Sequence, residues 1–309
     1  SIDAFNWAGA TIAATATGDE AYATGIYASS YDGYVFNGGA VSASAHGDSD
    51  GYADGVYIDG TFSFFRSGLA SSVTATASGY WNADAYGVYI DGLGTTVYAE
   101  GAFNATATAD ADEGEANAFG IDAYGYLGVN VTTYAGSSIH ATATGYDATA
   151  IGLGVYGYNS LGVNNWAAIT SVATGHDGYA AGIVAEGYWS GFTVENHGVI
   201  NATFHGALGY ATGISASTHY GNIEVDNYAN ITATADKTAI GVYMDAETFT
   251  ELDNYATITA HGGVNSVAVW SGDSNDYVYN YGTINGAFWA GDGDDFWYNE
   301  VGHVWNPGT

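Results

Sequence analysis

The chain has 309 residues, among them 46 glycines, 27 tyrosines, one proline and no cysteine, and it sets 33 acidic side chains against two basic ones for a formal charge of −31. Nucleic acid and anionic membranes need cations on the protein, so the charge excludes both as partners, and the lack of cysteine excludes disulfides and thiolate metal sites. Scarce Leu, Lys, Gln and Arg argue against long helices, and no apolar run near 20 residues is present to serve as a transmembrane segment.

Residues 1–11 stand outside the repeating pattern of the chain. From Ile12 onward an apolar residue opens a short alternating stretch again and again, at Val41, Val73, Phe103, Ile139, Ile169, Ile200, Ile231, Ile258 and Ile284. The interval centres near thirty-one residues. The clearest copy is Ile139-His140-Ala141-Thr142-Ala143-Thr144-Gly145. Its period of two is that of a half-buried strand, with Ile139, Ala141 and Ala143 inward and His140, Thr142 and Thr144 outward. A large residue at the inward alanine places should collide with the coil walls.

A second column is glycine: Gly25, Gly55, Gly87, Gly120, Gly152, Gly182, Gly213 and Gly241, each before an apolar residue. These read as corners that need a positive φ or a close backbone approach. A third column, Val163, Val194, Val225, Leu252 and Val278, closes the coil. Each repeat therefore holds three short strands. Such a unit cannot bury its apolar face alone, and stacking buries it. The predicted fold is all-β: one parallel β-helix over residues 1–309, with three strands per coil of about 31 residues. Nine to ten coils at about 4.8 Å each make a rod on the order of 45 Å long.

Two residues after the third column runs an asparagine series, Asn165, Asn196, Asn227, Asn254 and Asn280, expected to bond from coil to coil. Beside it lie Trp166, His197, Tyr228, Tyr255 and Tyr281, an outward aromatic column that covers a turn or, alternatively, offers a stripe for sugars.

Segments such as Val278-Tyr279-Asn280-Tyr281-Gly282-Thr283-Ile284-Asn285-Gly286 and Ala85-Tyr86-Gly87-Val88-Tyr89 resemble the passenger repeats of bacterial autotransporters and related surface adhesins. Gly291-Asp292-Gly293-Asp294-Asp295-Phe296 is similar to their Gly-Asp-rich tail segments. The resemblance covers nearly the whole chain. It implies a right-handed parallel β-helix on a secreted protein, extracellular or at the cell surface of a bacterium. The start at Ser1 without Met reads as removal of an upstream segment.

Chemistry is thinly signalled. Arg66 and Lys237 lie several coils apart, too far to act together as a lyase base would require. The carboxylates Asp110, Asp112, Glu113 and Glu115 crowd one Gly-containing corner, where solvated turn residues are the ordinary explanation, and the chain is not read as an enzyme. His46, His205 and His261 fall in separate coils without ligand spacing. Calcium is the cofactor to consider, at Asp48, Asp50 and Asp54 or at Asp292, Asp294 and Asp295, since hard oxygens on Gly-rich turns suit Ca²⁺. An outward column of Thr15, Thr76, Thr106, Thr142, Thr203 and Thr234 resembles the flat threonine arrays of ice-binding solenoids, although threonine also favours exposed strand positions generally. Four Asn-x-Thr sequons occur, at Asn104, Asn130, Asn201 and Asn230.

Residues 1–11 and 285–309 read as atypical terminal coils. Val304-Trp305-Asn306-Pro307-Gly308-Thr309 matches Val278 to Thr283, and Ser1 to Gly9 resembles Ile284 to Gly291. The last residues thus call for a strand like the first ones, which makes Ile2, Phe5, Trp7, Val304, Trp305, Asn306 and Thr309 candidates for self-assembly. The expected function is an extracellular structural or adhesive solenoid, the subunit of a filament stacked head to tail, with glycans or other cell surfaces as further partners. The alternatives are a released adhesin passenger acting as a monomer and an ice-binding protein.

Overall fold

A computed structural model describes residues 2–110 and 112–306. Among them the chain is a parallel β-solenoid of about nine coils, with no helix. A representative coil has strands Leu161–Asn165, Ala168–Thr174 and Asp177–Gly187. Each pairs in parallel with its counterpart one coil on, at Phe192–Asn196, Ile200–His205 and Tyr210–Thr218. In the early coils the corners are so extended that Thr11–Asn37 runs as one 27-residue strand.

The three strand columns form three sheets, here the first, second and third in order of the strands that follow a coil's opening apolar residue. In the first sheet the apolar openers stack in unbroken register from Ile12 on Val41 through Ile284. The register extends one place further, to Trp305 on Ile284. The third-sheet column is equally continuous from Val163 to Val278.

The interior divides into two cores. Ala141, Ala143, Ala148 and Ala150 belong to a narrow cluster built almost wholly of alanine, where the first and second strands face each other closely. Ile139, Leu153, Val155 and Val163 belong to a wider aliphatic core. The small side chains set the close spacing in the first region, and the chain must then swing outward to make room for the second.

That swing happens at the glycine column. None of these glycines has a positive φ, so the demand is one of space alone. A Cβ on Gly152 would press on Ile169 Cγ2 and on the carbonyl of Gly182, and one on Gly182 would press on Ile200 Cγ2 and the carbonyl of Gly213. A β-branched opener fills the notch left by the glycine before it in every coil of this column but the one opened by Phe103, where a Cβ on Gly87 would meet only the backbone of Gly120. Gly182→Ala should therefore cost roughly 1–3 kcal/mol by overpacking, measured by urea denaturation; a neutral result would show that the corner can relax.

One inward alanine place holds a large residue after all. Phe204 stands in register with Ala173 and Ala235 and is fully buried. It fits because Gly206 and Gly209 face its ring, where a Cβ from either would meet Cε1 and Cζ.

The two terminal segments sit elsewhere than the sequence matches place them. Ile2–Asn6 lies in the third sheet, paired with Gly33–Asn37, not beside a second-sheet strand. Val304–Asn306 lies in the first sheet, on Thr283–Asn285, because Phe296–Asn299 already occupies the third-sheet position after Tyr277–Asn280. The two segments therefore do not share one missing strand. Among the described residues the first coil is bounded by Ile2–Asn6 and the first two-thirds of Thr11–Asn37, and the last by Ala287–Trp289, Phe296–Asn299 and Val304–Asn306.

Candidate functional site

The asparagine ladder is continuous and buried. Asn165 Nδ2 donates to Asn196 Oδ1 at 2.9 Å, Asn196 to Asn227 at 2.9 Å, Asn227 to Asn254 at 2.9 Å and Asn254 to Asn280 at 2.8 Å. It goes on to Asn299 at 2.6 Å. Upstream, Thr133 Oγ1 donates to Asn165 Oδ1 at 2.7 Å, and a separate rung joins Asn6 Nδ2 to Asn37 Oδ1 at 2.8 Å. Asn165, Asn254 and Asn280 also satisfy their own corners: Ala167 N–H donates to Asn165 Oδ1 and Asn165 Nδ2 donates to the Ala167 carbonyl, and the same pair of bonds recurs at Ala256 and Gly282. A tight turn with inward polar groups would otherwise leave buried amides without partners. Sequence reading found the middle of this ladder but not Asn6 or Asn37, because Ser67, Ala99 and Thr133 interrupt the column, nor Asn299, because it follows Asn280 after only 19 residues; the shared spacing from the apolar closer was the signal available.

The neighbouring aromatic column is a stack. Trp166 and His197 have ring centroids 3.9 Å apart, His197 and Tyr228 4.5 Å, Tyr228 and Tyr255 4.8 Å, and Tyr255 and Tyr281 5.0 Å, all within 11° of parallel. A sugar platform needs a free ring face, and here each inner face is taken by the next ring. The same holds in a groove of about 920 Å³, which runs along the axis beside Asp59, Asp91, Glu186, Tyr124, Tyr156 and Tyr158. Tyr124–Tyr156, Tyr126–Tyr158 and Tyr158–Tyr188 stack at 4.6, 4.6 and 4.8 Å. The groove walls are thus ring edges and phenolic oxygens.

The threonine column is in register: Thr76 pairs with Thr106 and Thr106 with Thr142, and Thr203 with Thr234. Thr15 pairs with Ser44, and Val172 separates Thr142 from Thr203. His46, His205 and His261 lie on the same sheet face and break its uniformity.

The candidate metal residues do not converge. Among the described residues no three acidic or histidine side chains come together to hold an ion. Asp50 accepts from Ser49 Oγ at 2.8 Å and Asn82 Nδ2 at 2.6 Å, and Asp54 from Thr24 Oγ1 at 3.4 Å, while Asp48 is exposed. At the Gly-Asp-rich corner, Asp292 and Asp294 use backbone N–H groups, donated to Asp273 Oδ1 and Asn275 Oδ1, and Asp295 Oδ1 accepts from the Asp276 N–H. These contacts lock one corner onto the next.

Burial makes several carboxylates hard to ionise. Asp122 points outward by alternation yet is almost wholly covered, and its Oδ1 has no hydrogen-bond partner among the described residues. Its pKa is pushed up to about 8 by burial, against a smaller lowering from Tyr124. Asp54 and Asp226 rise to about 6, each chiefly by burial. Asp226 also feels Glu224, Asp253 and Glu195 across the third sheet, with no base nearby to offset them.

The described self-assembly candidates lie in the first and last described coils. Ile2, Phe5, Trp7, Val304 and Trp305 are exposed, between 41% and 66%; Asn306 Nδ2 donates to Asn285 Oδ1 at 2.7 Å. Thr309 lies outside the described residues. No family model, no curated protein and no solved structure matches the chain.

Proposed function

We propose that the chain is an extracellular structural protein of a bacterium, the subunit of a surface or matrix fibre that grows by stacking coils head to tail. The observation that carries this reading is the unbroken parallel register from Ile12 to Ile284, in which the face of every coil is an edge that accepts a further coil. Edges of that kind recruit further strands. A contact between two different faces of the same molecule propagates without closing. The parallel sheets supply axial hydrogen bonds against the repulsion between acidic subunits. A monomeric adhesin would instead need a recognition face, and the aromatic rings that could supply one are stacked on each other. Electron microscopy of the purified chain tests the proposal at pH 5 and pH 8, with and without calcium. Unbranched fibres one solenoid wide are expected; short rods on the order of 45 Å under every condition would rule it out.

A further inference from the structure

We infer that the axial groove beside Tyr124 and Tyr156 binds a linear aliphatic polyamine, a chain of ammonium groups joined by short methylene spans. The groove lies on the side of the rod, so the inference holds for a single subunit as for a fibre. One wall is the outward column Ser29, Asp59, Asp91, Tyr124, Tyr156 and Glu186, one residue per coil and each in register with the next. The facing wall stands two residues further along each strand and includes Tyr31, Leu93 and Tyr158. Residues two apart on a strand are about 6.6 Å apart, and glycine backbone, as at Gly60 and Gly92, forms the floor between them. That width suits one extended methylene chain. The net charge of −31 draws a polycation to the rod, and the groove fixes where it lies.

Three carboxylates line this trough, and neither Arg66 nor Lys237 does. Asp59 and Asp91 stand in adjacent coils, about 4.8 Å apart along the axis. Glu186 follows three coils beyond Asp91, on the order of 14 Å away. Burial holds the carboxyls of Asp91 and Glu186 above the ordinary range, and Asp59 raises Asp91 further. Asp122, one outward place before Tyr124, points the same way independently. It is 1% exposed, and its Oδ1 has no partner among the described residues. That oxygen is aimed at the groove wall: a Cβ on Gly154 would lie 2.5 Å from it and 3.0 Å from Cε2 of the Tyr156 ring. A single metal ion does not suit this set, because the carboxylates are strung along the axis and, among the described residues, no three converge. Ammonium groups three methylenes apart repeat at nearly the coil rise of about 4.8 Å. One such unit spans Asp59 and Asp91, and an extended tetraamine continues past Asp122 toward Glu186. Its methylenes lie on Leu93 and the tyrosine ring edges, which asks for no free ring face.

Spermine, a tetraamine, titrated into the purified chain by isothermal calorimetry at physiological salt should saturate one site per chain. Asp59→Asn combined with Asp91→Asn should weaken binding at least tenfold. Glu224→Gln combined with Glu251→Gln removes the same two charges from the outer face of the third sheet, away from the groove, and should change the affinity less than twofold. Thr61→Trp fills the trough without altering charge and should also weaken binding at least tenfold. An unchanged circular dichroism spectrum identifies each variant as folded. A capped tetralysine carries the same charge on a bulkier chain and should bind at least tenfold more weakly than spermine. No saturable site, equal losses from the two charge-matched pairs, wild-type affinity from Thr61→Trp, or tetralysine binding as tightly as spermine would each overturn the groove site and leave only general attraction to an acidic rod.

Discussion

Asn227→Leu is expected to lower stability by roughly 3–5 kcal/mol, although leucine has nearly the same shape. Asn227 is fully buried and bonded on both sides, accepting from Asn196 and donating to Asn254 at 2.9 Å each. Leucine removes the acceptor of one buried amide and the donor to another. Each orphaned group costs about 1–3 kcal/mol, and the surrounding chain of amides loses its mutual polarisation. Asn227→Asp should be worse, because a carboxylate can accept from Asn196 but faces the Asn254 oxygen with no proton to give. Asn299→Leu, at the coil edge, should cost under about 2 kcal/mol, since only one interior rung ends there. Urea denaturation followed by tyrosine and tryptophan fluorescence measures all three. A cost below about 0.5 kcal/mol at Asn227 would show that the ladder decorates the turn rather than holding it. A loss confined to the C-terminal coils is the expected form, because repeat arrays transmit stability mainly between neighbours.

The rung pattern was legible because a solenoid repeats its physics. Alternation placed Ile139, Ala141 and Ala143 inward, and the interval placed each opener on the next, so the register from Ile12 to Ile284 followed from spacing alone. The ends were less legible for a related reason. Val304-Trp305-Asn306 looks like a third-sheet segment by composition, but Phe296–Asn299 occupies that place, and similarity between sheets hides which of the three a short segment joins. Phe204 was missed because the accommodating glycines, Gly206 and Gly209, are close only after the chain has turned. Asp122 was missed because alternation reports which way a side chain points, not what covers it. Its column holds Tyr89 before it and Gly154 after it, and the long tyrosines of adjacent columns close over the gap. Recognition residues were not legible at all. The outward surface is a set of repeated columns, and no single motif stands apart from the array that makes the fold.

The coverage of Asp122 leads to an inverted dependence of stability on pH. An unfolded aspartate titrates near 3.9, whereas folded Asp122 titrates at about 8 because burial disfavours its charge. Between those values the folded chain holds a proton that the unfolded chain has released. Stability therefore falls as pH rises through this window, with a limiting slope of about 1.4 kcal/mol per pH unit from this one group. Asp54 and Asp226, raised to about 6, act in the same direction over the lower half of the window. Most proteins gain stability as their paired carboxylates ionise, but here the two basic residues cannot pair with 33 acids. The chain should be more stable at pH 5 than at pH 8. Asp122→Asn keeps the shape and removes the charge, so it should flatten the slope above pH 6 and exceed the wild type at pH 7.5 by roughly 2–4 kcal/mol. Urea midpoints taken every half unit from pH 4.5 to 8.5 would decide the matter. A wild-type curve that rises with pH, or an Asp122→Asn curve running parallel to it, would mean that the carboxylate is solvated in the folded chain and that the tyrosines do not seal it.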